Sequence, residues 1–107
     1  MSANELKEKI LAAITSDEEV LVLCDLLGGT PFKVASTIMG NRPDLKMNVL
    51  SGLNLAMLLE TVFARMTLSF DEVAEKAVAA AHSGVVNGRE LFSDDSEVIE
   101  EDFESGI

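Results

Sequence analysis

The chain contains no tryptophan and no tyrosine, and five phenylalanines are its whole aromatic complement. Sugars are commonly gripped on aromatic faces, so a direct sugar-binding site is not expected. One cysteine, Cys24, excludes an internal disulfide and suits a reducing cytoplasm. A thiol inside an apolar strand is expected to be inert core. No group of Cys, His and carboxylates has metal-ligand spacing, so neither a metal nor another cofactor is implied. Lysine and arginine are scarce, 8 against 19 acidic residues, for a net charge of −11. That balance argues against nucleic acid and anionic membrane as direct partners. No signal peptide or apolar run of membrane length is present, and a cytoplasmic location is expected. G-x-G-x-x-G is missing, and no lysine follows the glycines as a P-loop requires.

What is present centres on Cys24-Asp25-Leu26-Leu27-Gly28-Gly29-Thr30-Pro31-Phe32. Val20 to Leu23 is a β-branched apolar run typical of a strand covered on both faces of a parallel sheet. Asp25 then falls at the carboxyl end of that strand, where open α/β sheets place their ligands. Gly28 and Gly29 permit a tight turn and close backbone approach, Thr30 is a good N-cap, and Pro31 suits the first helical position. The N–H groups of Gly29 through Phe32 are expected to converge on an anion seat at the positive end of a helix dipole. An ordinary βα turn in which Asp25 complements the helix terminus would use the same residues.

The segment Asp25 to Phe32 resembles the D-x-x-G-G-[ST]-P-F signature of the mannose/fructose/sorbose class of IIA components of the bacterial phosphoenolpyruvate-dependent sugar phosphotransferase system. Gly52-Leu53-Asn54-Leu55-Ala56-Met57-Leu58-Leu59-Glu60 resembles that family's G-x-N-x-x-M-L-x-E pattern. The resemblance implies an α/β fold with an open, mainly parallel sheet flanked by helices. It also implies phosphoryl relay from HPr to a IIB partner, with membrane association only through the sugar permease. Asp25 would accept a hydrogen bond from the family's nucleophilic histidine and fix its tautomer, and Thr30 would help hold the phosphoryl group. Gly28, Gly29, Thr30 and Asn54 form the expected phosphoryl-binding set. The chemistry fits, since a carboxylate on one ring nitrogen leaves the other free to attack while amides stabilise the phosphoryl oxygens. The family's H-G nucleophile motif lies on an earlier strand that has no counterpart in these 107 residues. The domain is therefore expected to be incomplete, supplying the cradle and not the nucleophile. A substrate that is a phosphoryl group on another protein fits the lack of aromatics.

His82 does not replace that nucleophile. It lies at the edge of the helical stripe Phe70, Val73, Ala74, Ala77, Val78, Ala81 and Val85 and reads as a partly exposed structural residue. Only a histidine within hydrogen-bond reach of Asp25 could serve. Asn54 is either a plain N-cap or an edge of the cleft. Ser2 to Glu5 and Ser69 to Glu72 read as capping boxes. Helices are expected from Pro31 to Met39, after Asn54 with the apolar face Leu55, Leu58, Leu59, Val62 and Phe63, and from Ser69 to near Gly88. A second strand spans Met47 to Ser51.

Residues 1–88 are expected to form the partial IIA-like domain and 89–107 an acidic tail or linker. The resemblance also implies a dimer formed through an exchanged carboxyl-terminal strand, which Arg89 to Phe92 or Val98-Ile99 could supply. A two-stranded sheet leaves an edge and apolar helix faces uncovered, so a homodimer or a complementing polypeptide is expected. A regulatory IIA-like binding module and a dihydroxyacetone kinase phosphotransferase subunit are the alternative functions.

Overall fold

The computed structural model describes residues 2–15 and 18–94. In chain order these form α1 (Ala3–Ala13), β1 (Glu19–Leu23), α2 (Thr30–Asn41), β2 (Lys46–Leu50), α3 (Leu55–Ala64), α4 (Phe70–Ser83) and α5 (Gly88–Asp94). β1 and β2 pair in parallel, with Glu19 opposite Lys46 and Leu23 opposite Leu50. The result is a small open α/β unit, an incomplete version of a parallel sheet flanked by helices.

Strand alternation assigns the side chains to two apolar clusters. Val22, Met47 and Val49 join Cys24, Ala35 and Ile38, with Ile10, Leu11 and Ile14 of the α1 segment packed against them. Leu21, Leu23 and Leu50 join Met57, Ala74, Ala77 and Ala81 from α3 and α4. Ile38 and Met57 are the largest fully buried side chains, one in each cluster. Burying each stabilises the fold by roughly 1.5–3 kcal/mol relative to leaving it in water. β1 is only half-buried, because its second edge has no partner strand among the described residues.

The starts of α1, α3 and α4 follow the expected capping chemistry. Ser2 Oγ accepts from the Glu5 N–H at 3.2 Å. Ser69 and Glu72 form a full capping box, and Asn54 caps α3. Helix ends differ from expectation. α2 continues through Gly40 and Asn41 and stops at Arg42, where the following Pro43 disfavours helical backbone. α4 ends at Ser83 with Gly84 as its cap, rather than running to Gly88, which instead opens α5. Arg89 to Phe92 is helical in α5, so this stretch is not a strand here. Val98 and Ile99 lie outside the described residues.

The expected α3 face is formed but uncovered: Leu55, Leu58, Leu59, Val62 and Phe63 are all exposed, and α3 buries only Met57 and Ala64.

Candidate functional site

The carboxyl ends of β1 and β2 are tied together past the formal strands. Cys24 N–H donates to Leu50 O at 2.8 Å, Leu53 N–H to Cys24 O at 3.0 Å, and Gly52 N–H to Asp25 O at 3.2 Å. These bonds fix the Asp25 backbone on the carboxyl rim of the sheet. Gly52 has φ +81°, the left-handed region where glycine carries no side-chain penalty, and so permits the turn that brings its N–H to Asp25. Cys24 is buried beneath this rim. Desolvation, and secondarily the neighbouring Asp25 charge, push its thiol pKa up, which keeps it protonated and unreactive.

The Asp25 side chain is exposed, and its Oδ1 accepts from the adjacent Leu26 N–H at 2.8 Å. It does not cap α2, whose amino terminus has no side-chain cap at all. The cap residue is Gly29, one position earlier than the Thr30 the sequence pattern suggested, and Thr30 is the first helical residue. This shift alters the expected anion seat. Gly29 N–H is engaged by Leu26 O at 3.3 Å, and Pro31 has no N–H. Of the four expected positions, Thr30 and Phe32 therefore keep available backbone donors, backed by the positive end of a 12-residue helix. A Cβ added to Gly28 would meet nothing within 4 Å, and one on Gly29 would make only ordinary contact. Neither glycine is required by packing among the described residues.

The remaining candidates fall in two clefts flanking this rim. Thr30 lines one of about 460 Å³ between α1 and α2, together with Lys7 and Lys33. These two cations stand out on a chain of net charge −11. Asn54 lines the other, of about 540 Å³, with Ser51, Gly52 and His82. Both polar ends of Asn54 are engaged: Oδ1 accepts from Met57 N–H at 2.9 Å, and Nδ2 donates to Ala81 O at 3.0 Å. One amide hydrogen is left for a ligand. Asn54 thus caps α3 and also ties the last turn of α4 to the sheet rim. Gly84 allows this approach, since a Cβ there would stand 2.8 Å from Ala56 Cβ.

His82 is exposed and lines the Asn54 cleft, a placement that its position at the edge of a helical stripe did not reveal. Neither cleft includes Asp25. Among the described residues, no group of three or more His, Cys, Asp or Glu side chains could hold a metal ion. No helix among them is long and apolar enough to cross a membrane.

A model of the family described as the PTS system fructose IIA component matches residues 1–78. The chain belongs to that family. This IIA-family chain is 40% identical over 76 residues to the mannose-specific EIIAB component of Escherichia coli, a match covering 70% of this chain and 23% of that protein. It is 33% identical over 96 residues to the sorbose-specific EIIA component of Klebsiella pneumoniae, covering 90% of this chain and 65% of that one. The chain therefore spans under a quarter of the first relative and just under two thirds of the second. Its fold superimposes on the crystal structure of a phosphotransferase system EIIA component from Streptococcus agalactiae with a TM-score of 0.78 and 40% identity, covering 84% of this chain and 70% of that one. Both signature segments of this IIA-family chain lie within the matched residues 1–78.

Proposed function

We propose that this IIA-family chain contributes the phosphoryl cradle of a sugar phosphotransferase component that accepts phosphate from HPr and passes it to a IIB partner. The observation that carries the reading is the carboxyl rim of β1, where an exposed Asp25 carboxylate precedes an α2 amino terminus with no side chain of its own capping it. An acid group that does not serve its own helix, and helix donors that no side chain satisfies, suit a histidine and its phosphoryl group.

In this reading the phosphoacceptor imidazole comes from polypeptide outside residues 1–107. Asp25 accepts its N–H and fixes the tautomer, while Thr30 and the Thr30 and Phe32 amides hold the phosphoryl oxygens. Gly28 and Gly29 let the phosphoryl group approach the backbone closely, which accounts for two glycines that internal packing does not require. Asn54 has a supporting role, with one amide hydrogen facing the neighbouring cleft. Residues 89–107 form a separate acidic segment, and the open β1 edge is completed by a second copy or a complementing polypeptide. Contact with the membrane is indirect, through a permease.

Intact-mass phosphorylation tests this with phosphoenolpyruvate, enzyme I and HPr, using this chain alone and mixed with a polypeptide supplying the family's first strand and H-G motif. Label is expected only on the added polypeptide and is lost with Asp25→Ala. Label on this chain alone would move the acceptor to His82 or elsewhere and overturn the assignment. No label in either mixture would favour a regulatory IIA-like module.

A further inference from the structure

Lys7 and Lys33, which face the cleft beside Thr30, differ from the other helical lysines. Lys9 has Glu5 four residues before it and Lys76 has Glu72, the spacing at which opposite charges meet on one helix face. Around Lys7 the positions three and four away are Ala3, Asn4, Ile10 and Leu11, and around Lys33 they are Gly29, Thr30, Ser36 and Thr37. Among the described residues neither lysine has a carboxylate within ion-pair distance, and no carboxylate lines the cleft. On a chain with 19 acidic residues against 8 basic ones, this is a local reversal of charge.

The backbone places that charge at the proposed cradle. Thr30, Lys33 and Thr37 lie at helical spacing on one side of α2, and Asn4 and Lys7 on the facing side of α1. A second, smaller cleft joins Lys7 and Leu11 to Ile38 and Arg42 at the far end of α2, so the two helices run parallel and both begin at the carboxyl rim of the sheet. α2 begins there with no acidic residue in its first turn and no side-chain cap. A cation near a helix amino terminus opposes the helix dipole, so local folding does not favour Lys33 at this point, whereas a bound anion does.

We propose that this cleft is a subsite for a phosphoryl dianion, with Lys7 and Lys33 supplying its positive charge and Thr30 shared with the cradle. One chemistry here has two sources, free inorganic phosphate and a phosphoryl group carried on a histidine of another protein. The inference deepens the proposed function and rests on that reading for the second source only. An approaching phosphoryl dianion meets the Asp25 carboxylate and a chain of net charge −11, and two cations beside Thr30 offset that repulsion. Lys7 and Lys33 are positioning residues in this scheme, since the group is never bonded to them.

Two measurements test it on Lys7→Gln, Lys33→Gln and their combination, with Lys9→Gln as a control that removes the same charge from α1 outside the cleft. All three lysines are exposed and glutamine is a good helix former, so melting curves should coincide. First, inorganic phosphate is titrated into the chain alone at constant ionic strength while the Thr30 and Phe32 amide resonances are followed. A saturable shift is expected in the parent chain and in Lys9→Gln, weakened about fivefold or more in the double variant and retained in Lys33→Arg. No saturable shift in the parent chain, or equal affinity in the double variant, would overturn the subsite. Second, labelling by phosphorylated HPr is timed with the complementing polypeptide present. The double variant is expected to lower kcat/KM by about tenfold with kcat little changed, and the deficit should shrink as salt is raised. Rates equal to the parent's would overturn the protein-borne source and leave the subsite to free phosphate. Absence of label even with the parent chain would overturn the proposed function, while the titration, which needs no second polypeptide, still decides the subsite.

Discussion

α3 and α4 lie side by side against the same face of the sheet, and the more apolar of the two is the less buried. α4 carries Asp71, Glu72, Glu75 and Lys76, yet it directs Val73, Ala74 and Ala77 into the core. α3 has only Glu60 within its span and buries Met57 and Ala64, leaving its larger side chains in water. The small residues of α4 let it lie close to Leu50 and to α3, so burial follows closeness of approach rather than hydropathy. The lesson is that an apolar stripe reports a demand for cover, and that the demand of α3 is not met among the described residues.

That comparison breaks most visibly when the same charge is placed on each helix. Ala77→Asp buries an unpaired carboxylate at a position with 0% exposure and is expected to abolish folding, at a cost of about 4 kcal/mol or more. Leu58→Asp, on the exposed stripe, should change monomer stability by no more than about 0.5 kcal/mol. Urea titration followed by circular dichroism compares the two directly. Equal losses would mean that α3 is packed internally after all.

Met57→Ala removes the one large side chain that α3 buries, and an expected loss of about 2–5 kcal/mol in the same titration would place the stability of α3 in that single contact. Asn54→Ala deletes both the cap and the bond to Ala81 O, for an expected cost of about 2 kcal/mol. Asn54→Asp keeps the acceptor and should recover only the capping part, so the difference between the two variants measures the cap, and the loss that remains between the parent chain and Asn54→Asp measures the tie to α4.

Glycines sharpen the contrast between fold and site. Gly84→Ala forces Cβ against Ala56 and is expected to cost about 1–3 kcal/mol in thermal melts. Gly28→Ala meets open space and should leave the melting temperature unchanged or slightly raised, while slowing phosphoryl transfer to the complementing polypeptide. Equal phosphoryl transfer in Gly28→Ala and the parent chain would remove the close-approach role.

The smallest expected effect is acid sensitivity. The Ser69 hydroxyl, then the Ser69 backbone N–H, hold the Glu72 carboxyl below the usual glutamate range. A lowered folded value means the contribution is present above the unfolded value and is lost as pH falls through the folded one. Ser69→Ala should therefore flatten the acid limb of a stability–pH curve slightly. An unchanged limb would mean the capping box is not kept in solution.

Much of this was legible in local sequence. The strand runs at Val20 to Leu23 and Met47 to Leu50, and the caps at Ser2, Asn54 and Ser69, are set by chemistry within four residues of where they act. The rim position of Asp25 followed from the end of its strand. The cap of α2 was misplaced by one residue because Gly29 and Thr30 are both acceptable N-caps; Thr30 takes the first helical position and Gly29 forms the turn with Leu26. The cleft shared by His82 and Asn54 was not legible, because it depends on a hydrogen bond between residues 27 positions apart. Gly84, directly after the α4 terminus, was the available signal, since a glycine at that point marks a close approach as readily as a stop. Coverage of the α3 stripe was illegible for a different reason: periodicity identifies a face and says nothing of its partner.

The double engagement of Asn54 has a consequence for amide exchange. The first-turn N–H groups of a helix ordinarily exchange rapidly with solvent, since fraying exposes them without disturbing the rest of the fold. Met57 N–H is held by a side chain that is itself latched to Ala81 O, and Met57 lies in the core shared with α4. Its deuterium uptake should therefore follow the undocking of α4 rather than local fraying, giving a slow amide near the start of a helix and a spectroscopic reporter of whether α3 and α4 open as one cooperative unit.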